Sequence, residues 1–499
     1  MKKSGYEYLI ELFDLKVSGV TRPCSVDSKL TAASRKESSL SIPLSMVVQS
    51  TKPVDHLVFA LKNQGVQLEI LQAVMLHLDP SEIQTALNQS PNGKYLRQIA
   101  FLFEQFTAHT LHAKVSATGY VNLFDEKEYV TGPARRNQKY KINMNGLGDF
   151  DFCPVVRRTK ALSNYIVRDL FADLADFVQK AGGEENIDRV LGWAYLSETR
   201  GSFELEREKP SEDKAQRFVE LLLHAHNAED LTEDYLALLQ NSVITNPLLQ
   251  EISFRTKQNW LSRRALQSRI SNVTFIPPEP VQVNLLMQGL LDYANAPYPQ
   301  DSNEALIKSL LVAFGFVFNH PFLDGNGRIS RFLIHHGLCR AGLLSKGLIL
   351  PISVALKQHE GDYLTALESV SKPIRKLWRV HHLTLDEIDA EFEGSGEAYR
   401  YWDGTAIAEF GLAMAQFALD HTLIEEQSFL EKFDQAYQLI NNDYDLIDKD
   451  LINLIRMAVT NEGILSKNRR KQFTLTVPGR VMDAIELVVQ DVFFGKKQE

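Results

Sequence analysis

The stretch His320-Pro-Phe-Leu-Asp-Gly-Asn-Gly-Arg-Ile-Ser-Arg331 decides how this chain is read. His320 stands four residues before an acid, Asp324. Gly325 and Gly327 flank Asn326, and Arg328 and Arg331 follow three residues apart. Glycines let a backbone approach an anion closely, and a helix N-terminus adds free N–H groups and positive dipole. Residues three apart share a side of a helix, so both arginines can offer forked donors to phosphate oxygens. Asp324 is a hard oxygen ligand, suited to a Mg²⁺ that bridges phosphates. His320 titrates near neutrality and suits removal of a proton from a hydroxyl nucleophile. This set points to phosphoryl or nucleotidyl transfer, where catalysis is mostly positioning and charge neutralisation.

The flanks give the stretch its place in a fold. Leu306, Leu310, Leu311, Phe314 and Val317 form a buried stripe that predicts a helix over Asn303–Val317. The motif then turns the chain into a second helix, from about Gly327 to Gly342, that buries Phe332, Leu333 and Leu338. An ordinary turn with a surface histidine is the competing account. A calcium loop is another, but its twelfth position wants a bidentate glutamate and holds His335. Eight specified positions recur by chance on the order of 10⁻⁸ in such a chain at equal residue usage, which leaves little room for coincidence.

His320-x-Phe322-x-Asp324-Gly325-Asn326-Gly327-Arg328-x-x-Arg331 resembles the complete signature of the Fic family, enzymes that most often transfer AMP from ATP to a protein hydroxyl. The resemblance implies that His320 deprotonates a target Ser, Thr or Tyr and that Asp324 holds Mg²⁺ at the α- and β-phosphates. It implies that Asn326 and the Gly325–Gly327 backbone bind near the α-phosphate, Arg328 the β-phosphate and Arg331 the γ-phosphate. Phe322 would anchor the loop in the core. A kinase-like branch resembling Doc has Lys where Gly327 stands, so Gly327 favours the AMP-transferring type. ATP and Mg²⁺ are thus the expected substrate and metal.

Many Fic proteins carry an inhibitory helix with the pattern Ser/Thr-x-x-x-Glu-Gly/Asn, whose glutamate pairs with the second motif arginine. Ser202-Phe-Glu-Leu-Glu206 is similar to it, N-terminal to the signature, and residues four apart share a helix face. The chain departs at Arg207, where Gly or Asn is usual. The resemblance also allows Glu206 to position water that removes AMP from modified targets. A solvated acidic helix end is the competing account. Asn272-Val-Thr-Phe-Ile-Pro-Pro278 precedes the core as the family's target-aligning hairpin does, which makes Val273, Thr274 and Phe275 a candidate flap. An extended target can pair with such an edge; a plain structural hairpin is the alternative.

Composition bounds the rest. The chain has 499 residues, 44% apolar and 23% charged, ordinary for a globular protein of two to four domains. A net charge of −9 argues against a whole-chain nucleic-acid binder. Three widely spaced cysteines, Cys24, Cys153 and Cys339, suggest a reducing compartment. With a polar start and no run of about 20 apolar residues, a cytoplasmic protein without membrane contact is expected.

The expected fold is mostly α. A Fic-type helical core with a small β-hairpin flap is flanked by helical regions and a winged-helix-like C-terminal module. The boundaries are 1–155, an N-terminal helical and irregular region; 156–389, the core with its inhibitory helix; 390–447, a helical linker; and 448–499, the C-terminal module. Within these, 1–55 reads as an irregular arm, 56–112 as helices and 114–154 as loops or a small hairpin. Residues 156–182 read as one helix ending at Gly182-Gly183, and Ile187 to about Glu208 as the next. Glu251–Arg255 and Asn272–Ile276 read as paired strands, 355–390 as one or two helices, and 398–440 as helical. The tail reads as helix, basic turn at Lys467–Lys471, strand at Gln472–Thr476, and helix.

His335-His336 and His381-His382 are adjacent pairs, poor for metal and read as structural. Tyr399-Arg-Tyr-Trp-Asp-Gly-Thr405 resembles a segment of long Fic proteins and reads as packing. Partners are a protein target bearing a hydroxyl, with self-modification and a homodimer both compatible; nucleic acid is left to the C-terminal module alone. Transfer of another group such as UMP, or a non-enzymatic nucleotide-sensing regulator, are the alternatives.

Overall fold

The computed structural model describes residues 3–180, 184–209, 211–244, 250–262, 273–344, 347–384 and 387–495. As expected, it is mostly helical, with short two- and three-stranded sheets between helices. The centre is the pair Ser302–Asn319 and Asn326–Arg340, joined by the signature loop. Both are buried on nearly all sides, so apolar residues continue around them rather than forming one stripe. Pro280–Asn295, Glu233–Val243, Glu212–His224 and Thr405–Phe417 surround them in one continuous apolar core. Ser211 caps the Glu212–His224 helix, its side chain accepting from the Lys214 N–H.

Residues 1–55 are more built than an arm. Tyr6–Leu12 is a helix, and Cys24–Val26, Leu40–Ile42 and Ser34–Arg35 form a small mixed sheet. Tyr6 is fully buried and its hydroxyl donates to the Gly65 carbonyl at 2.7 Å, which pins the segment to the Pro53–Asn63 helix region. Residues 56–112 are helical as read. Residues 114–154 hold a three-stranded sheet, Val121–Asn122, Ile142–Met144 and Arg135–Asn137 in spatial order. The single helix expected over 156–182 is broken into Lys160–Tyr165 and Leu170–Lys180. Asp169 causes the break, because its carboxylate accepts from the Phe171 and Ala172 N–H groups and restarts a helix. Gly182-Gly183 lie outside the described residues.

The next helix runs Glu184–Leu205 and lays its C-terminal end against Asn326–Arg340. The flap strand Val273–Phe275 pairs with Leu261–Ser262, not with Glu251–Arg255, which is irregular: the Glu251 N–H donates to the Asn241 side chain, the Phe254 N–H to Glu233, and Arg255 bonds the signature loop. Asn272 lies outside the described residues. A second hairpin was not foreseen: Trp378–Leu383 pairs antiparallel with Ile388–Phe392. Trp378, Val380, Ile388, Ala390 and Phe392 alternate toward Val273, Ile276 and Trp260, so this hairpin backs the flap. The Tyr399–Thr405 segment packs as read. Tyr399 and Trp402 are buried, and the Val155 N–H donates to the Trp402 carbonyl at 2.9 Å.

The tail is corrected. Lys467–Phe473 is a helix, capped by Ser466 accepting from the Arg469 N–H, where a basic turn and strand were expected. With Asp448–Thr460 and Gly479–Phe494 it closes a small apolar core against Leu423–Asp443, and the described tail has no strand for a wing. Among the described residues no helix is long and apolar enough to cross a membrane.

Candidate active site

His320 ends the Ser302–Asn319 helix in the left-handed region, φ 49°, a conformation that histidine tolerates better than most residues. This turns the chain back on itself. Phe322 drops into the core, fully buried against Phe316 and Phe254. Asn326 closes the loop with both ends of its amide: Oδ1 accepts from the Phe322 N–H at 3.0 Å and Nδ2 donates to the Phe322 carbonyl at 2.7 Å. Its side chain is therefore the loop's staple, not a group directed at a ligand. Gly325, φ 83°, makes the turn that opens the next helix, a backbone that a side chain would strain.

The His320 imidazole is fixed by the backbone on one side of its ring. Its Nδ1 lies 3.1 Å from the Val317 carbonyl, which assigns the proton to Nδ1 and leaves the Nε2 lone pair free. Burial, aided by the Arg255 guanidinium, pushes its pKa down to about 4, while the Val317 bond and Asp324 oppose this more weakly. The ring is thus neutral at pH 7. Asp324 keeps a half-exposed carboxylate, 44% accessible. Its Oδ1 accepts from the Gly325 N–H at 2.6 Å and lies 3.4 Å from Arg328 Nη2.

Arg328 and Arg331 are both almost wholly buried, and one carboxylate serves them both. Glu206 Oε2 is 2.9 Å from Arg328 Nε, and Glu206 Oε1 is 2.7 Å from Arg331 Nη2. A Cβ on Gly327 would stand 2.6 Å from Glu206 Oε1, so only glycine lets the carboxylate sit this close over the helix N-terminus. Ser202 completes the contact: its hydroxyl accepts from Arg331 Nε at 2.6 Å and its carbonyl from Nη2 at 3.0 Å. The structure therefore brings Ser202 and Glu206 to the signature. The glutamate bridges both arginines, where the sequence reading paired it with Arg331 alone.

One turn below lies a second polar contact, which sequence reading did not find. Glu198 and His335 are fully buried, 3.1 Å apart, and Glu198 also accepts from the Ser353 N–H at 2.7 Å and from its hydroxyl. Glu198, Ser202 and Glu206 are spaced by four, as are Arg331 and His335, and that spacing was the available signal. His335-His336 are structural as read: His336 Nε2 is 2.8 Å from the Glu229 carbonyl. Arg207 takes φ 58° at the helix end, with the Glu208 N–H bonded to the Phe203 carbonyl and the Arg207 N–H to the Glu204 carbonyl, both at 3.0 Å. This is the helix-ending pattern whose left-handed residue is usually glycine or asparagine. Val273, Thr274 and Phe275 form the flap strand, its buried residues facing Phe318 and the second hairpin.

Residues 229–338 match the family model described as the Fic/DOC family, and the match contains every residue of the signature. This segment is a Fic domain. Ser202 and Glu206 lie outside it, Ser202 in the last turn of the Glu184–Leu205 helix and Glu206 one residue past its end. Over 67 residues the chain is 40% identical to the protein adenylyltransferase Fic of Drosophila willistoni and 39% identical to that of Drosophila ananassae. Those stretches cover 13% of this chain and 13% of each relative, so the chain matches about an eighth of their length. Among solved structures it is similar to a Fic family protein from Desulfovibrio desulfuricans, 17% identical, TM-score 0.35, over 67% of this chain and 89% of that one. It is also similar to a Fic domain containing signaling protein from Bacteroides thetaiotaomicron, 16% identical, TM-score 0.36, over 52% and 96%.

Proposed function

We propose that this Fic domain transfers AMP from ATP to a hydroxyl side chain of a protein, and that Glu206 restrains it. The observation that carries the reading is the Glu206 carboxylate held between Arg328 and Arg331 over Gly327. Two buried guanidinium groups at a helix N-terminus form an anion site, and a carboxylate is a fair stand-in for a phosphate there. The curated relatives matched over 67 residues are named protein adenylyltransferases, which supports AMP as the group moved.

The residues fit Mg²⁺ carried in with a nucleotide. Among the described residues no cluster of three or more His, Cys, Asp or Glu could hold an ion, and Asp324 presents an accessible carboxylate beside the anion site. One carboxylate plus substrate phosphates is how Mg²⁺ is commonly held. Bound there, the ion would neutralise phosphate charge. His320 Nε2 would take the proton of the target hydroxyl as its oxygen attacks the α-phosphorus, and diphosphate would leave. Arg328 and Arg331 would orient the phosphates once Glu206 gives way. The flap strand would align the target by backbone pairing. Cytoplasmic placement, self-modification and removal of AMP from targets remain parts of the same proposal.

The test is incubation of Glu206→Gly with α-labelled ATP, Mg²⁺ and a cell lysate. Label on protein, weaker in the unaltered chain and lost on His320→Ala, supports the reading. No label on the chain or the lysate ends it, and label from UTP in preference to ATP changes the group transferred.

A further inference from the structure

Arg255 is a buried cation outside the signature, 3% exposed, and among the described residues it has no carboxylate partner. Isolating a charge from water is costly unless every donor is matched. Here the donors go to backbone carbonyls. Nε donates to the His320 carbonyl at 2.9 Å, Nη1 to Lys257 at 2.9 Å and Nη2 to Pro278 at 2.5 Å. The Arg255 N–H also donates to the Pro321 carbonyl at 2.7 Å. Lys257 lies four residues before the first flap strand and Pro278 three residues after the second. One guanidinium therefore grips both feet of the flap and the catalytic turn. Neighbours repeat the link: Asn259 Nδ2 donates to the Phe322 carbonyl at 3.2 Å, Gln258 Nε2 to Pro277 at 3.0 Å, and Phe254 packs on Phe322.

We propose that Arg255 is a positioning residue, fixing the Leu261–Ser262/Val273–Phe275 hairpin relative to His320 so that a target paired with the hairpin meets the base. This rests on the transfer reading above. Lysine can keep the charge but cannot span three carbonyls with a planar fork. Methionine loses both. The charged groups acting on the imidazole are Arg255, which disfavours its protonation, and Asp324, which favours it.

The test uses Arg255→Lys and Arg255→Met in the Glu206→Gly chain, with three readouts. Labelling of lysate protein from α-labelled ATP should fall at least tenfold in both. ATP affinity should stay within twofold, because Arg328 and Arg331 are untouched. Hydrogen exchange at residues 273–275 should quicken while Ser302–Asn319 stays protected. If Arg255→Met folds, the acid limb of its rate profile should also move to higher pH, and that of Arg255→Lys should not. Labelling within twofold of the Glu206→Gly chain overturns the proposal, as does a parallel loss of ATP affinity and labelling. If Arg255→Met does not fold, Arg255→Lys decides alone. Absence of label in the Glu206→Gly parent is a different result: it sinks the transfer reading, and exchange at the flap still tests the tie itself.

Discussion

Replacing Arg207 with glycine should strengthen the restraint proposed for Glu206. Arg207 sits at φ 58°, one residue after Glu206, in the position where the chain leaves the Glu184–Leu205 helix. A side chain in the left-handed region costs about 1 kcal/mol that glycine does not bear. The arginine has a small return: its guanidinium lies 3.8 Å from the Glu360 carboxylate, but it is 64% exposed, and such a pair contributes roughly 0.2–1 kcal/mol at most. The difference favours glycine by about 0.5 kcal/mol on average, with about 1 kcal/mol as the upper end. At about 1.4 kcal/mol per tenfold, the closed state should gain about two- to fivefold. The assay is the initial rate of label transfer from α-labelled ATP by the otherwise unaltered chain, which should fall by that factor. Arg207→Asn should fall in the same direction. Arg207→Ala keeps the backbone cost and loses the Glu360 contact, so its rate should hold or rise slightly. In the Glu206→Gly background the glycine change should do nothing. A rise in rate on Arg207→Gly, or an equal fall in the Glu206→Gly background, would refute the reasoning, because the backbone would then act by some route other than the glutamate.

Other outcomes follow from the same geometry. His320→Ala should lower transfer at least ~10²-fold, the usual scale for a general base, with the fold retained; a residual rate above a tenth would assign the base elsewhere. Phe322→Ala should cost about 3–5 kcal/mol, read as a lower denaturant midpoint, because it empties a fully buried site under the loop; a cost under 1 kcal/mol would mean the loop does not depend on that anchor. Asp324→Asn should raise the Mg²⁺ concentration for half-maximal transfer on the order of tenfold or more, and an unchanged requirement would remove Asp324 as the ion's ligand. The His320 and His336 imidazoles are both pushed to about 4 by burial, against about 6.5 unfolded. Between those values the unfolded chain binds protons that the folded chain does not, so stability should be full above pH 6.5 and decline toward pH 4. Removing His320 should flatten that decline; an identical slope would contradict its neutral state.

Much of this was legible because two signals are local. The apolar stripe on Asn303–Val317 and the twelve signature residues fix two helices and the turn between them without distant information. The spacing Ser202 to Glu206 was also readable, and so was the misfit at Arg207, which the backbone there makes concrete. What escaped depends on tertiary neighbours. Arg255 looked like one residue of a short alternating strand, and nothing nearby in sequence announces that its partners lie at 257, 278 and 320–321. The bridge from Glu206 to Arg328 needs the glutamate centred over Gly327, a packing fact. Other errors had signals that were outweighed. Ser466 and Asp169 are helix-capping residues that mark the helices at Lys467–Phe473 and Leu170–Lys180. Trp378, Val380, Ile388, Ala390 and Phe392 alternate at strand period within a stretch that was read as helical.

The most direct measurement is mass spectrometry of protein incubated with Glu206→Gly, ATP and Mg²⁺. The account predicts one AMP added to a Ser, Thr or Tyr hydroxyl and none when His320 is also replaced by alanine. Adducts of phosphate or UMP in place of AMP, or AMP addition that persists without His320, would contradict it.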